Sequence, residues 1–169
     1  MSERELPERA PDFTLEHVVG HSVSLSDYQG RTVVAMFGGK ESAEQVQRAV
    51  ETIRDRYDPD ELPILGVSDL QAVPRPAKII VRGQLKKAFQ AAVKDRSERL
   101  EAAAKPPLDD PTKAVVMLMD WQGEVVRSFG LDGVDQEAVG VVIDGEGRIL
   151  GIGTGSQAGE EILALLAPQ

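Results

Sequence analysis

Three apolar runs rich in β-branched residues recur along this 169-residue chain. They occupy residues 32–37 (TVVAMF), 63–70 (PILGVSDL) and 114–120 (AVVMLMD). Short runs without polar alternation are typical of strands that are covered on both faces of a sheet. A sheet of such strands needs helices on its faces, so the segments between the runs must supply them.

Helical patterns follow the first two apolar runs and recur at the end of the chain. Residues 41–57 form an apolar stripe with helical spacing, which comprises Val46, Ala49, Val50, Ile53 and Tyr57. Residues 77–104 predict one long helix with a break near Gly83. Its apolar side, interrupted by Arg96, consists of Leu85, Phe89, Ala92, Val93, Leu100 and Ala103. A last helix is predicted over residues 159–167.

Two hairpins complete the pattern. The segment 12–30 reads as two short strands joined near Gly20, and the runs 138–144 and 148–155 flank a Gly-rich turn. Parallel strand–helix–strand units followed by an antiparallel hairpin predict an α/β fold. We expect a central mixed β-sheet flanked by helices, with an N-terminal β-hairpin and a long inserted basic helix.

Four stretches resemble one family of proteins. They are APDFTL with VSLSDYQGRTVVAMF, then ILGVSDL, LMDWQGEVVRSFGL and VGVVIDGEGRILGIGTG. Together they resemble the redoxin group, which contains peroxiredoxins of the AhpC/TSA type and thioredoxin-like thiol-disulfide oxidoreductases. The resemblance implies a thioredoxin-like fold in a single redoxin domain over residues 1–169. Residues 72–111 would be a long helix and loop inserted within it.

The chain contains no cysteine. This excludes disulfides, thiolate nucleophiles, cysteine-ligated zinc and iron–sulfur clusters. In the redoxin group the chemistry depends on a thiolate at the N-terminus of the helix after the first core strand, where the helix dipole stabilises it. Thiol-disulfide reductase and thiol peroxidase activities are therefore excluded, and no cofactor is expected.

Alignment on Phe37 locates the residues that replace the family's site. The two cysteines of the thioredoxin-like pattern fall at Ser42 and Gln45, and the cis-proline or arginine before the closing hairpin falls at Ala138. The peroxiredoxin pattern falls at Gly39, Ala43 and Val46. We predict a vestigial active-site loop without catalytic residues, consisting of Gly38, Gly39, Lys40, Glu41, Ser42, Gln45 and Ala138.

Ser42 has three interpretations. A catalytic serine needs an adjacent base, and both histidines lie in the N-terminal hairpin. An artificial Cys→Ser replacement would also produce this residue, but the other losses in the loop argue against it. We favour a structural capping box, in which the Ser42 hydroxyl accepts from the backbone of Gln45 and the Gln45 side chain returns the bond.

Positive charge is concentrated in one region. Residues 72–105 contain nine Lys or Arg and three Asp or Glu, which gives +6, whereas the rest of the chain carries −15. The predicted interaction surface is Arg75, Lys78, Arg82, Lys86, Lys87, Lys94, Arg96 and Arg99. It is either a solvated helix face or a docking surface for an acidic protein, including another copy. An anionic ligand is a third option, and nucleic acid is disfavoured because few aromatics accompany the charges.

Other candidate sites have simpler explanations. Lys40 and Glu41 could contact an anion at a helix N-terminus, although an exposed turn is preferred. Gly151, Gly153 and Gly155 lack the Walker lysine of a phosphate loop. The acids Asp109, Asp110, Asp132, Asp135, Asp144 and Glu146 lack EF-hand spacing. His17 and His21 lie on a predicted hairpin, so no metal site is expected.

The sequence therefore predicts a cysteine-less redoxin that is non-catalytic and acts by binding or assembly, with a protein partner or self-association. An oxidoreductase or antioxidant role would follow from family assignment alone. The other alternative is an enzyme that uses carboxylates on the same scaffold, which would need acids converging near Lys40 and Glu41. The charged N-terminus has no apolar region typical of a signal peptide, and no run is long enough to span a membrane, so we expect a cytoplasmic protein.

Overall fold

A computed structural model describes residues 6–107 and 110–167. Asp109, one of the acids considered above, lies outside these ranges. The strands are β1 Thr14–His17, β2 Ser22–Ser24, β3 Val33–Gly38, β4 Ile64–Asp69, β5 Val116–Asp120, β6 Val139–Ile143 and β7 Ile149–Thr154. The α-helices are α1 Ala43–Arg54, α2 Lys78–Ala102, α3 Glu124–Ser128 and α4 Ala158–Leu166.

The seven strands form one mixed sheet in the order β2-β1-β5-β4-β3-β6-β7. The strand β3 runs parallel to β4, and β4 parallel to β5, whereas β6 and β7 pair antiparallel at one end and β1 and β2 at the other. All six residues of β3 are buried. The predicted mixed sheet and both hairpins are confirmed. Of the three strands predicted to be buried, β3 is buried throughout, whereas three of the six residues of β4 and three of the five residues of β5 are buried.

Three helices lie side by side on one face of the sheet. Helix α2 packs over β1 and β5 through a cluster that contains Val18, Phe89 and Met119. Helices α1 and α4 cover β3, β4 and β6 through a second cluster around Met36 and Ile162. Residues paired across β3, β4 and β5 show that both clusters lie on the same face. Helix α1 is therefore flanked by α2 on one side and by α4 on the other.

Helix α2 differs in two details from its prediction. It runs for 25 residues without a break at Gly83, because a single glycine lowers helix stability by only about 1 kcal/mol and Phe89 and Leu100 anchor the helix. It ends at Ala102, before the left-handed Ala104. Ala103, assigned to the apolar side from the sequence, is therefore outside the helix and exposed. Within the described ranges, no helix has the length and apolar content needed to cross a bilayer.

The glycines of β7 serve packing. A Cβ at Gly153 would lie 2.4 Å from the carbonyl oxygen of Ala158, and one at Gly151 would lie 2.8 Å from the side chain of Leu165. Helix α4 therefore lies directly on β7 because these positions have no side chain. This close approach explains the glycine run without a phosphate ligand.

Candidate functional site

The predicted vestigial loop lies at the C-terminal end of β3, where the chain turns into α1. Lys40 and Glu41 are exposed in this turn, whereas the next residue, Ser42, is fully buried. Helix α1 begins one residue later, at Ala43. The loop thus has an exposed charged tip and a buried base.

Ser42 does not form the predicted capping box. Its hydroxyl donates to the carbonyl oxygen of Val134 at 2.7 Å and accepts from the backbone N–H of Gly39 at 3.0 Å. No bond joins the hydroxyl to the first turn of α1. The prediction was wrong because the backbone of Ser42 lacks the extended conformation of an N-cap, so the hydroxyl points into the interior.

Gln45 also bonds across the molecule. Its side-chain oxygen accepts from the backbone N–H of Ala138 at 2.8 Å. The carbonyl oxygen of Ala138 accepts in turn from Gly155 at 2.8 Å. The structure therefore brings together the two separated parts of the predicted site and joins them by a hydrogen bond. No cis peptide bond occurs at Ala138 or elsewhere in the described residues.

The space beside Gly38 and Gly39, at the base of the loop, is filled by protein. A Cβ at Gly39 would lie 2.9 Å from the Cα of Asp135, and one at Gly38 would lie 2.5 Å from a methyl group of Val46. The segment that precedes β6 therefore lies directly against the loop. No space remains beside Gly38 and Gly39 even for a methyl group.

A buried carboxyl group lies at the same end of the sheet, at Asp120. Burial raises the pKa of Asp120, and the nearby Asp69 raises it further, while backbone N–H groups oppose the shift. One oxygen of Asp120 accepts from the N–H groups of Val125 and Val126, at 3.0 and 3.1 Å. Asp120 therefore caps α3, and its pKa shift has a structural cause.

The two histidines stack in the N-terminal hairpin, with ring centroids 4.7 Å apart. His17 is buried against Phe89, and burial is the main cause that lowers the pKa of its ring. The backbone N–H of Val19 donates to its Nδ1 at 3.2 Å. Among the described residues, no three His, Asp or Glu side chains are grouped so that they could hold a metal ion.

A cleft of about 220 Å³ opens at the opposite end of the sheet. Its lining includes Val33 and Ile143, which pair where β3 begins, together with Tyr28 and Arg31. Burial raises the pKa of Tyr28. The cleft and the predicted vestigial loop are separated by the length of β3, so the cleft is not part of the predicted site.

Comparison with known proteins decides the family. Residues 6–151 match the model of the AhpC/TSA family, which is most of the chain. This protein belongs to the AhpC/TSA family. No curated protein matches the sequence.

Solved structures similar to this AhpC/TSA protein have the thioredoxin-like fold. A proposed thiol:disulfide interchange protein DsbE from Chlorobium tepidum is 20% identical, with a TM-score of 0.62 over 98% of this chain and 100% of that one. The exposed lipoprotein thioredoxin Etrx1 of Streptococcus pneumoniae is also 20% identical, with a TM-score of 0.62 over 92% and 98% of the two chains. At these identities the likeness shows the shared fold.

The long basic helix of this family member has two different halves. Its second half pairs its charges within the protein, since Arg99 contacts Glu51 and Asp95, and Lys94 lies 4.0 Å from Glu98. The guanidinium Nε of Arg96 is buried without a hydrogen-bond partner among the described residues. Three of the predicted interaction residues thus lie in a region with three acids. They are Lys94, Arg96 and Arg99.

The first half is different. We call residues 74–91, which contain five Lys or Arg and no Asp or Glu, the basic segment. Only Arg82 pairs with an acid there, Glu16, among the described residues. Arg75, Lys86 and Lys87 are exposed and form no ion pair within the described ranges. Within the described ranges, the predicted interaction residues that are exposed and lack an ion pair therefore lie in this half of α2.

Two contacts beside the basic segment were not predicted. The side chains of Lys78 and Arg82 lie over the ring of Trp121, at 5.2 and 5.6 Å from its centroid. Trp121 is the single tryptophan of the chain and directly follows β5.

Arg54 is buried at the end of α1, where burial and the charge of Arg96 lower its pKa to about 10. Its guanidinium donates to the carbonyl oxygen of Leu62 at 2.7 Å.

Proposed function

We propose that this AhpC/TSA protein is non-catalytic and acts by binding or assembly. The observation that carries the proposal is the state of Ser42. Its side chain occupies the position of a family cysteine, is fully buried, and bonds to Gly39 and Val134. A catalytic group must reach its substrate, and this one is enclosed by protein on every side.

Two hydrogen bonds connect the loop and α1 to the segment before β6. Ser42 connects the loop to Val134, and Gln45 connects α1 to Ala138. These bonds join α1 to the segment before β6, the two parts of the chain that together form the predicted vestigial site. Because the Ser42 hydroxyl and the Gln45 side-chain oxygen are engaged in these bonds, neither is free to bind a reactant.

Carboxylate chemistry, the enzymatic alternative, lacks support from these residues. It would need acids that converge near Lys40 and Glu41, in a pocket, with a raised pKa. Asp120 has a raised pKa, but its oxygen is engaged by two N–H groups of α3. The cleft lies at the other end of the sheet.

Activity assays on the purified protein test the proposal directly. We expect insulin reduction with a dithiol donor and consumption of hydrogen peroxide to proceed at the rate of buffer alone. Turnover well above buffer would refute a non-catalytic role. A positive control with an active thioredoxin and an active peroxiredoxin validates both assays.

A single-cysteine variant tests the enclosed site. In Ser42→Cys the new thiol is the only one in the chain, and we expect a thiol reagent to label it only after denaturation, because the position is fully buried. The matched control Ser156→Cys carries its thiol at an exposed position and should react at once in the native protein. Rapid native labelling of Ser42→Cys would show that the site is open.

A further inference from the structure

The basic segment combines charge with exposed apolar side chains. Ile79 and Ile80, in the first turn of α2, are 85% and 64% exposed. One turn later, a Cβ added at Gly83 would contact nothing within 4 Å. Large apolar residues next to each other and exposed to this extent are typical of surfaces that another molecule covers. Lys86 and Lys87 follow on the same exposed half of the helix.

The opposite edge of the sheet has the reverse charge. We call residues 139–167, which comprise β6, β7, α4 and their connections, the acidic edge. They contain four Asp or Glu and one basic residue, Arg148, which pairs with Glu146. Apolar side chains are exposed here too, since Leu150 in β7 is 48% exposed and Leu165 in α4 is 37% exposed. Glu160 of α4 is exposed and forms no ion pair within the described residues.

The fold separates these two surfaces. Helix α2 and helix α4 lie on the same face of the sheet, on opposite sides of α1. Strand β7 ends the sheet on the α4 side. The two surfaces of one molecule therefore face away from each other and cannot meet within it. They can meet between two copies that lie side by side.

From this arrangement we infer that copies of this chain associate head to tail, with the basic segment of one copy packing on the acidic edge of the next. The contact matches positive with negative charge and apolar with apolar surface. A symmetric contact between two basic segments would instead bring five cations against five. The inference rests on the proposed function and specifies its partner as a second copy.

Such a contact uses two different surfaces, so each association leaves one free surface of each kind. It produces a closed ring if the rotation between copies closes, and an open chain otherwise. Because part of the attraction is between exposed charges, association must weaken as salt screens them.

Sedimentation equilibrium of the full chain tests the inference. We expect the mean mass to exceed that of the monomer in about 0.05 M NaCl and to fall toward it in about 1 M NaCl, where charges are screened beyond about 3 Å. A monomer at every protein concentration in low salt would overturn the inference. It would leave the proposed function standing if the activity assays are negative, so the two failures are distinguishable.

Charge reversal identifies the surfaces. The variant Lys86→Glu/Lys87→Glu makes the basic segment repel the acidic edge, and Glu160→Lys/Ala164→Lys does the converse at exposed positions of α4. We expect each variant alone to raise the dissociation constant by about tenfold or more. An equimolar mixture of the two should recover association, because each then offers the surface that the other lacks. Failure of the mixture to recover would refute this pairing of surfaces.

Two controls complete the test. Lys94→Glu reverses a charge in the second half of α2, outside the basic segment, and should leave association unchanged. The second control is flotation with phosphatidylserine vesicles. If the chain is monomeric but floats with them, and Lys86→Glu/Lys87→Glu abolishes flotation, the partner is a lipid surface and the inference is wrong.

Discussion

The base of the vestigial loop and the basic segment differ in whether their polar side chains have partners within the protein. In the loop, Ser42 and Gln45 bond to backbone groups of the segment before β6, and no space is left beside Gly39. In the basic segment, four of the five cations lack an ion pair with described residues and two isoleucines are exposed. Ser42 and Gln45 are thus part of the protein's interior packing, whereas the basic segment carries charged and apolar side chains that stay exposed.

The largest effect in this comparison should come from Ser42→Ala. The change leaves the buried carbonyl of Val134 and the N–H of Gly39 without partners, so we expect the free energy of unfolding to fall by about 2–3 kcal/mol. Urea denaturation measures it. The exposed control Ser156→Ala should change stability by less than about 0.5 kcal/mol. Equal effects of the two variants would contradict a structural role for Ser42.

Gln45→Ala should have a smaller effect. The variant removes one hydrogen bond to a partly buried N–H, at Ala138, and we expect a loss of about 1 kcal/mol. The same urea experiment applies. Gln47, two residues away in α1, is exposed, and among the described residues its side chain bonds only to Glu51, at 3.5 Å, so Gln47→Ala is a near-neutral control. If Gln45→Ala left the free energy of unfolding unchanged, the bond from Gln45 to Ala138 would not contribute to stability.

Gly83→Ala should change stability in the other direction. The position is helical and exposed, and an added Cβ meets nothing, so alanine should stabilise α2 by up to about 1 kcal/mol in the isolated monomer. Thermal unfolding in about 1 M NaCl measures this. Gly159→Ala is the matched helical control in α4, where the Cβ would lie 2.8 Å from Thr52 and 3.1 Å from the backbone of Ala49. It should destabilise, and a stabilising Gly159→Ala would mean that α4 packs more loosely.

The smallest effect concerns pH. The pKa of His17 in the folded protein is lowered, chiefly by burial, so the unfolded chain, in which this histidine titrates near about 6.5, binds the proton more readily. Stability from His17 is therefore complete above about pH 6.5 and declines as the pH falls toward the lowered pKa. Tm measured from about pH 8 to about pH 5 should show this decline. His17→Gln should reduce the slope, and the exposed-site variant His21→Gln should largely retain it.

The sheet could be predicted from the sequence because its signals are local. Residues 33–37, for example, are all apolar, and such runs are buried whichever strands lie beside them. The position of the vestigial loop could also be found, by alignment on Phe37. Its bonding could not, because the partners of Ser42 and Gln45 lie 92 and 93 residues further along the chain. Sequence patterns predict bonds between near neighbours, such as a capping box. Ser42 and Gln45 bond instead to residues that only the tertiary fold brings close.

The ion pairs of α2 also depend on residues that are distant in sequence. The count of basic residues indicated a surface, but not which members of it are already paired. Arg82 contacts Glu16, 66 residues earlier, and Arg99 contacts Glu51 in α1. Both acids come from elements that are distant in sequence, so these two ion pairs could not be predicted from the spacing of charges along α2.

The location of Trp121 has a practical consequence. The chain has one indole, and it lies against Lys78 and Arg82 at the border of the basic segment. Its fluorescence therefore reports on that surface without a label and without interference from another tryptophan. Any molecule that covers this corner of the protein, or draws the two cations away from the ring, should alter the emission spectrum.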